Sequence, residues 1–250
     1  MKRDKITEYL NGILKPELYK DYGPNGLQVE GRDEVKKIIT GVTGCLELFE
    51  RAIAAKADGI LVHHGIIWSF HRPTYTGHYK KRVKMLLEND INLWGYHLPI
   101  DAHEKYGNNA VLAEFFDLQD PKPFGDYKGT KIGVKGALKN SDPEYYFEKV
   151  RRELNPNAVI FPYGPKKVNT IGIISGGAQK EFNQAIAEDL DMYITGEASE
   201  YNMHLSREEG VHFISAGHHA TERFGVRRMG ELLSQNMGLE VDFIDIPNPV

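Results

Sequence analysis

Only one cysteine, Cys45, occurs in 250 residues. No intramolecular disulfide can form, and the cysteine usage does not suggest a secreted, disulfide-stapled scaffold. Cys45 follows Gly-Val-Thr-Gly at an expected strand end and reads as a small buried residue. No run reaches the ~18 consecutive apolar residues of a membrane span. The N-terminal Met-Lys-Arg-Asp-Lys leads into an amphipathic stretch, not the apolar core of a signal peptide. A soluble cytoplasmic protein with no membrane partner is expected. Surplus positive charge is also missing: 31 Lys and Arg face 35 Asp and Glu, a net charge of −4. No global field draws nucleic acid or an anionic surface. Neither a Walker A loop nor a Gly-x-Gly-x-x-Gly fingerprint is present, and His-Glu-x-x-His and Cys-x-x-Cys are absent too. These absences argue against a P-loop nucleotidase, a dinucleotide fold, a zincin and a zinc finger. What remains is ordinary globular composition, 41% hydrophobic and 26% charged, in a chain long enough to bury a core.

Strand and helix patterns alternate along nearly the whole chain. Residues 4–14 read as a helix with Ile6, Leu10 and Ile13 on one face. A strand at 37–43, a helix at 46–56, a strand at 59–63, a helix at 79–89 and a strand at 92–97 follow, and Asn108 to Phe116 are again helical. The segment Asp120-Pro121-Lys122-Pro123-Phe124-Gly125-Asp126 reads as a loop by its prolines and glycine, and a domain boundary is expected there. The scheme then repeats. A strand at 131–137 precedes a helix begun by Ser141-Asp142-Pro143-Glu144. Strands at 168–174, 191–195, 211–216 and 240–244 alternate with helices at 179–189, 198–208 and 219–235. The expected fold is α/β, with two three-layer lobes of mostly parallel sheet, residues 1–125 and 126–250. The first lobe carries His63, His64 and Asp101; the second carries His218 and Glu222. Residues 57–64 align loosely with 190–197, which hints at a duplication.

Chemistry concentrates at strand ends, where open α/β sheets bind ligands. His63 and His64 close the apolar run Gly59-Ile60-Leu61-Val62. Buried polar rings there need a partner or a ligand, because an unpartnered buried polar group costs on the order of 1–3 kcal/mol. Asp101 lies four residues beyond His97 and reads as a bridging carboxylate or as a helix cap. His218 and Glu222, spaced i, i+4 at a helix start, share one face. His219 points elsewhere. Three histidines and two carboxylates are more than one catalytic zinc takes. They suit two divalent ions roughly 3.5–4 Å apart, with zinc, iron and manganese all compatible.

Other signals are softer. The turn Ser175-Gly176-Gly177-Ala178 reads equally as a phosphate cradle or a plain strand–helix turn. Glu197 ends a strand and is placed to face the site. His97 reads as a proton shuttle, as support for a ligand, or as a satisfied core histidine. The segments His71-Arg72-Pro73 and Tyr75-Thr76-Gly77-His78 lie in a loop suited to substrate contacts.

Seven motifs occur in order: Asn25-Gly26-Leu27-Gln28-Val29-Glu30-Gly31, Val62-His63-His64-Gly65, His97-Leu98-Pro99-Ile100-Asp101, Gly107-Asn108-Asn109, Ser175-Gly176-Gly177-Ala178, Thr195-Gly196-Glu197 and Gly217-His218-His219-Ala220-Thr221-Glu222. Over essentially its whole length the chain resembles the GTP cyclohydrolase I type 2 homolog family, also called the NIF-three-like proteins, in the short form without an inserted domain. The resemblance implies a two-lobed α/β protein with a dinuclear metal centre in the cleft between lobes, assembled as a ring-shaped hexamer. Motif by motif, it places the metal ligands on His63, His64, Asp101, His218 and Glu222. Three activities are consistent with these residues. One is a hydrolase that opens the guanine ring of GTP with metal-activated water, His97 donating the proton. Another is a phosphoester hydrolase at the same residues. The third is a hexameric binding or regulatory protein that contacts protein or nucleic acid through basic clusters such as Lys80-Lys81-Arg82-Val83-Lys84 and Arg223 with Arg227-Arg228, which also read as plain solvated faces.

Overall fold

Apolar side chains at i, i+4 and i+8 make the first helix, α1 (Arg3–Leu14), bury Ile6, Leu10 and Leu14. Leu14, not the expected Ile13, completes that row. In the computed structural model, which describes residues 1–72 and 74–250, the chain forms two units. The first comprises Met1–Ile100 and Gly225–Ile246; the second comprises Asp101–Phe224 and Pro247–Val250. Asp101 therefore falls in the second unit. Pro73 lies outside the described residues.

The first unit holds β1 (Gly26–Val29), β2 (Lys37–Thr43), α2 (Leu46–Ala54), β3 (Gly59–His64), α3 (Gly77–Glu88), β4 (Asn92–Gly95) and the start of α4 (Leu98–Ala102). The later turns of α9 (His218–Met237) and β11 (Glu240–Phe243) return to it. Its sheet runs β1-β4-β3-β2-β11. β3 is central, with β2 and β4 both parallel to it, and only β1 is antiparallel. Ile60, Leu61 and Val62 have no solvent exposure, as a strand covered on both faces requires. Cys45 is half-buried at the N-terminus of α2, less enclosed than the sequence suggests.

The second unit contains α5 (Asn108–Phe115), β5 (Gln119–Tyr127), β6 (Thr130–Ala137), α6 (Pro143–Lys149) with a π-turn at Val150–Leu154, and β7 (Val159–Phe161). β8 (Thr170–Ile173), α7 (Phe182–Ala187), β9 (Met192–Thr195), α8 (Glu200–Glu209), β10 (His212–Ser215) and the opening of α9 follow. Its sheet order is β5-β6-β8-β9-β10-β7. β8, β9 and β10 are parallel, while β6 and β7 join antiparallel. Ile171, Ile173, Met192, Ile194 and Ile214 centre its core. The α/β expectation holds in both units, with antiparallel strands at the sheet margins. The expected loop at 120–126 is instead β5, paired antiparallel with β6. Its prolines fit because β5 is an edge strand, where a missing N–H breaks no ladder.

The suspected internal repeat has a physical counterpart. Asp58 precedes β3, and its Oδ2 accepts from the amides of Lys36 (2.7 Å) and Lys37 (3.0 Å). Asp191 precedes β9, and its Oδ2 accepts from the amides of Asn169 (2.7 Å) and Thr170 (3.1 Å). The Asp58 carbonyl accepts from Asn92, the Asp191 carbonyl from His212, each at the start of the next strand. One carboxylate thus fixes the register of the central strand in each sheet.

Candidate metal centre

At the carboxyl end of β3, His63 has no exposure, and its Nδ1 lies 3.2 Å from the Tyr96 carbonyl oxygen. A carbonyl can only accept, so Nδ1 carries the proton and Nε2 the lone pair. His64 sets its Nδ1 3.1 Å from Thr43 Oγ1 on the neighbouring strand. His97, two residues past β4, places Nδ1 2.7 Å from Asp21 Oδ1. The Asp21 carboxylate also accepts from the Leu98 amide (2.9 Å) and Asn25 Nδ2 (2.9 Å). Burial drives the Asp21 carboxyl upward, but the hydrogen bond and charge of His97, with Asn25 and the Tyr22 amide, outweigh it and bring it to about 2. Asp21 is therefore ionised, and it anchors the His97 ring through Nδ1, leaving Nε2 to face the cluster. Ring centroids lie 4.6 Å (His63–His64), 5.0 Å (His63–His97) and 5.7 Å (His64–His97) apart. One ligand nitrogen from each ring lies within 4.8 Å of the others.

The second unit carries a carboxylate-rich cluster. Asp101, 6% exposed, accepts at Oδ1 from Asn108 Nδ2 (2.9 Å) and Ser175 Oγ (2.8 Å). It sits inside α4 and is not its cap. His218 is the first residue of α9, and Glu222, 2% exposed, follows one turn later; Nε2 and Oε2 are 3.2 Å apart. The other nitrogen, Nδ1, lies 2.5 Å from Glu197 Oε1. Burial presses the His218 imidazole down, but Glu222 and then Glu197 prevail and raise it to about 9. Ser175 and Gly176 touch both ends of this cluster. While Ser175 bonds Asp101, Gly176 has φ +68°, and a Cβ there would sit 2.1 Å from Glu222 Oε1. Only glycine lets the backbone pass so close to the carboxylate.

Of the two readings of the glycine turn, the plain strand–helix turn fits better. Three of its four amides are engaged: Ser175 N with Asn109 Oδ1 (2.8 Å), Gly176 N with Thr221 Oγ1 (2.9 Å) and Ala178 N with Thr195 Oγ1 (3.2 Å). Sequence reading also missed Asp21. The signal available was one carboxylate in a turn-rich stretch, Asp21-Tyr22-Gly23-Pro24-Asn25-Gly26.

The donor sets fit divalent transition ions. Imidazole nitrogens and carboxylate oxygens suit zinc, iron and manganese alike. His63, His97 and His218 each hold their second nitrogen on an oxygen acceptor, as metal-ligating histidines do.

Comparison with known proteins identifies the family and the fold. A profile of the Duf34/NIF3 (NGG1p interacting factor 3) family matches residues 1–249. A Haemophilus influenzae protein described as a GTP cyclohydrolase 1 type 2 homolog is 45% identical over 247 residues, covering 98% of each chain. Its Neisseria meningitidis serogroup A counterpart is 44% identical over 250 residues, covering 100% of this chain and 99% of that one. Among solved structures, protein ybgI, described as of unknown function, superposes with a TM-score of 0.94 at 40% identity, over 100% of both chains. TTHA1606 from Thermus thermophilus gives 0.91 at 31% identity, again over 100% of both. HcgD from Methanocaldococcus jannaschii gives 0.87 at 28% identity, over 98% of both. With its sequence matched from end to end and its fold shared, the chain belongs to the Duf34/NIF3 family.

Proposed function

We propose that the protein is a metal-dependent hydrolase of the GTP cyclohydrolase type 2 kind, acting on a purine nucleotide. The observation that carries this reading is the histidine cluster of the first unit: three imidazoles together, two of them anchored through Nδ1 on an oxygen acceptor. The donors for two divalent ions are His63, His64, Asp101, His218 and Glu222. When bound, such ions supply Lewis acidity that lowers the pKa of a water toward ~7.

The chain's own residues do the rest. Glu197 keeps His218 oriented through Nδ1, and Thr43 does the same for His64. His97, anchored on ionised Asp21, holds a proton at Nδ1 and exchanges one at Nε2. Opening the five-membered ring of guanine at C8, with loss of formate, leaves a ring nitrogen that must be protonated. His97 is the proton carrier for that nitrogen. The reading takes a nucleotide-like small molecule as substrate, a homohexamer as the assembly and the cytoplasm as the compartment. In support, no described helix is long and apolar enough to cross a membrane, and relatives at 40–45% identity bear the cyclohydrolase homolog name.

The test is formate and phosphate release from GTP by metal-reconstituted protein, with metal content measured in parallel and His64→Ala as control. Formate release that disappears together with bound metal in the variant is the expected result. Phosphate alone, also lost in the variant, identifies a phosphoester hydrolase. If neither product forms, GTP is removed as substrate and a binding or regulatory role leads.

A further inference from the structure

Three aromatic side chains form a stack that reaches the His97 ring, and the chemistry above uses none of them. Trp68 meets His97 edge to face, with centroids 5.2 Å apart at 87°, and its ring is 6.0 Å from that of His64. Phe70 stacks on Trp68 at 5.6 Å and 18°. Tyr22 lies 6.3 Å from Phe70 and 6.2 Å from His97. The segments bearing them are tied together: the Ser69 amide donates to the Tyr22 carbonyl (2.7 Å), and Trp68 Nε1 donates to the Gly65 carbonyl (3.1 Å). Even so, Phe70 is 66% exposed and Tyr22 40%. Single exposed aromatics are common. A braced stack that continues into a histidine cluster is a different object. A shallow recess lined by Gly23, Asn25, Gln28, His63, Trp68 and His97 adjoins it. The exposed Arg72 follows on the same loop.

We propose that Tyr22, Trp68 and Phe70 form a stacking platform for the base of a purine nucleotide, with Arg72 beside it for the anionic phosphate. This rests on the nucleotide reading above and assigns where the ring is held. Every nucleobase has a π-face, and aromatic platforms bind bases through it. The two amide side chains of the recess are already engaged. Asn25 bonds Asp21 and the His97 amide, and Gln28 bonds the Pro24 carbonyl and the Ile66 amide. The platform therefore reads the face of the ring and not its edge, and it discriminates little between guanine and adenine.

Fluorescence tests this directly on the EDTA-treated full-length chain. Of the two tryptophans, Trp94 is fully buried, so ligand quenching reports Trp68. GMP and AMP are expected to quench saturably with similar midpoints, and ribose 5-phosphate to leave the signal unchanged. Phe70→Ala, a change at an exposed position, is expected to raise the GMP midpoint roughly tenfold, in line with the loss of one stacking partner. Trp68→Phe should abolish the quench. Equal quenching by ribose 5-phosphate, no quenching by GMP, or an unchanged midpoint in Phe70→Ala overturns the proposal. Quenching without formate release from GTP refutes the hydrolase reading alone; formate release without quenching refutes the platform alone.

Discussion

His218 is held as an imidazolium in the metal-free protein, and this has a measurable consequence for pH dependence. Its ordinary value is 6.5, and the two flanking glutamates carry it to about 9 against the pull of burial. The folded-state value lies above the unfolded one, so the charged ring stabilises fully below pH 6.5 and its contribution vanishes as pH rises through about 9. A difference of that size corresponds to about 3 kcal/mol. Its side chain is 28% exposed, so solvent screens the pair only in part. Urea unfolding of EDTA-treated wild type and His218→Gln, each at about pH 6 and about pH 10, isolates the effect, because the other titrating groups cancel in the double difference. Wild type is expected to lose about 3 kcal/mol more than the variant across that interval. Parallel losses in the two proteins would refute the charged-sandwich argument. The proton must also leave when the nitrogen takes up a divalent ion. Loading near neutral pH should then release about one proton from this residue, and apparent affinity should climb about tenfold per pH unit until pH approaches 9. A pH-indicator titration with zinc reads both; a flat profile in wild type would contradict the assignment.

Two further substitutions test the two clusters separately. Asp21→Asn removes the charge that anchors His97; the Asp21 carboxyl is lowered from 3.8 to about 2, so its contribution, about 2 kcal/mol, is present above pH 3.8 and lost as pH falls through about 2. The variant should unfold at lower urea at neutral pH, converge with wild type in strong acid, and lose turnover; an unchanged neutral midpoint would count against the dyad. Gly176→Ala adds a left-handed residue at φ +68° and a methyl 2.1 Å from Glu222 Oε1. Thermal unfolding should show a loss of about 2 kcal/mol or more, with metal uptake weakened through displacement of Glu222; a melting point equal to wild type would show that the turn relaxes freely.

Much of the fold was legible because local pattern and tertiary demand agree. The run Gly59 to Val62 is uniformly apolar and becomes a strand covered on both faces, so the two histidines that end it stood out. His218 and Glu222 were readable because four residues make one helical turn. Asp21 was not, because it meets His97 across 76 residues of sequence and no local rule links them. Glu197 was visible as a strand-end carboxylate, but its role emerged only with its contact to His218 Nδ1, 21 residues away. The prolines of β5 misled because they are tolerated only at a sheet edge, and edge position is a property of the whole sheet. Strands β1 and β7, of 4 and 3 residues, are too short to declare a period.

The pairing of β11 with β2 has a consequence for synthesis. Glu240–Phe243 lies along Lys37–Thr40 in register, at the far edge of the first unit's sheet. On the ribosome, β2 emerges about 200 residues before its partner, a delay of roughly 10–40 s at ordinary elongation rates. For that interval the nascent chain carries an open strand edge, the kind of template that recruits other chains. Early termination leaves the edge bare for good. Products truncated ahead of Glu240 should aggregate or enlist chaperones even with every residue of the two clusters encoded in full, so β11 acts as a quality checkpoint on the β2 edge.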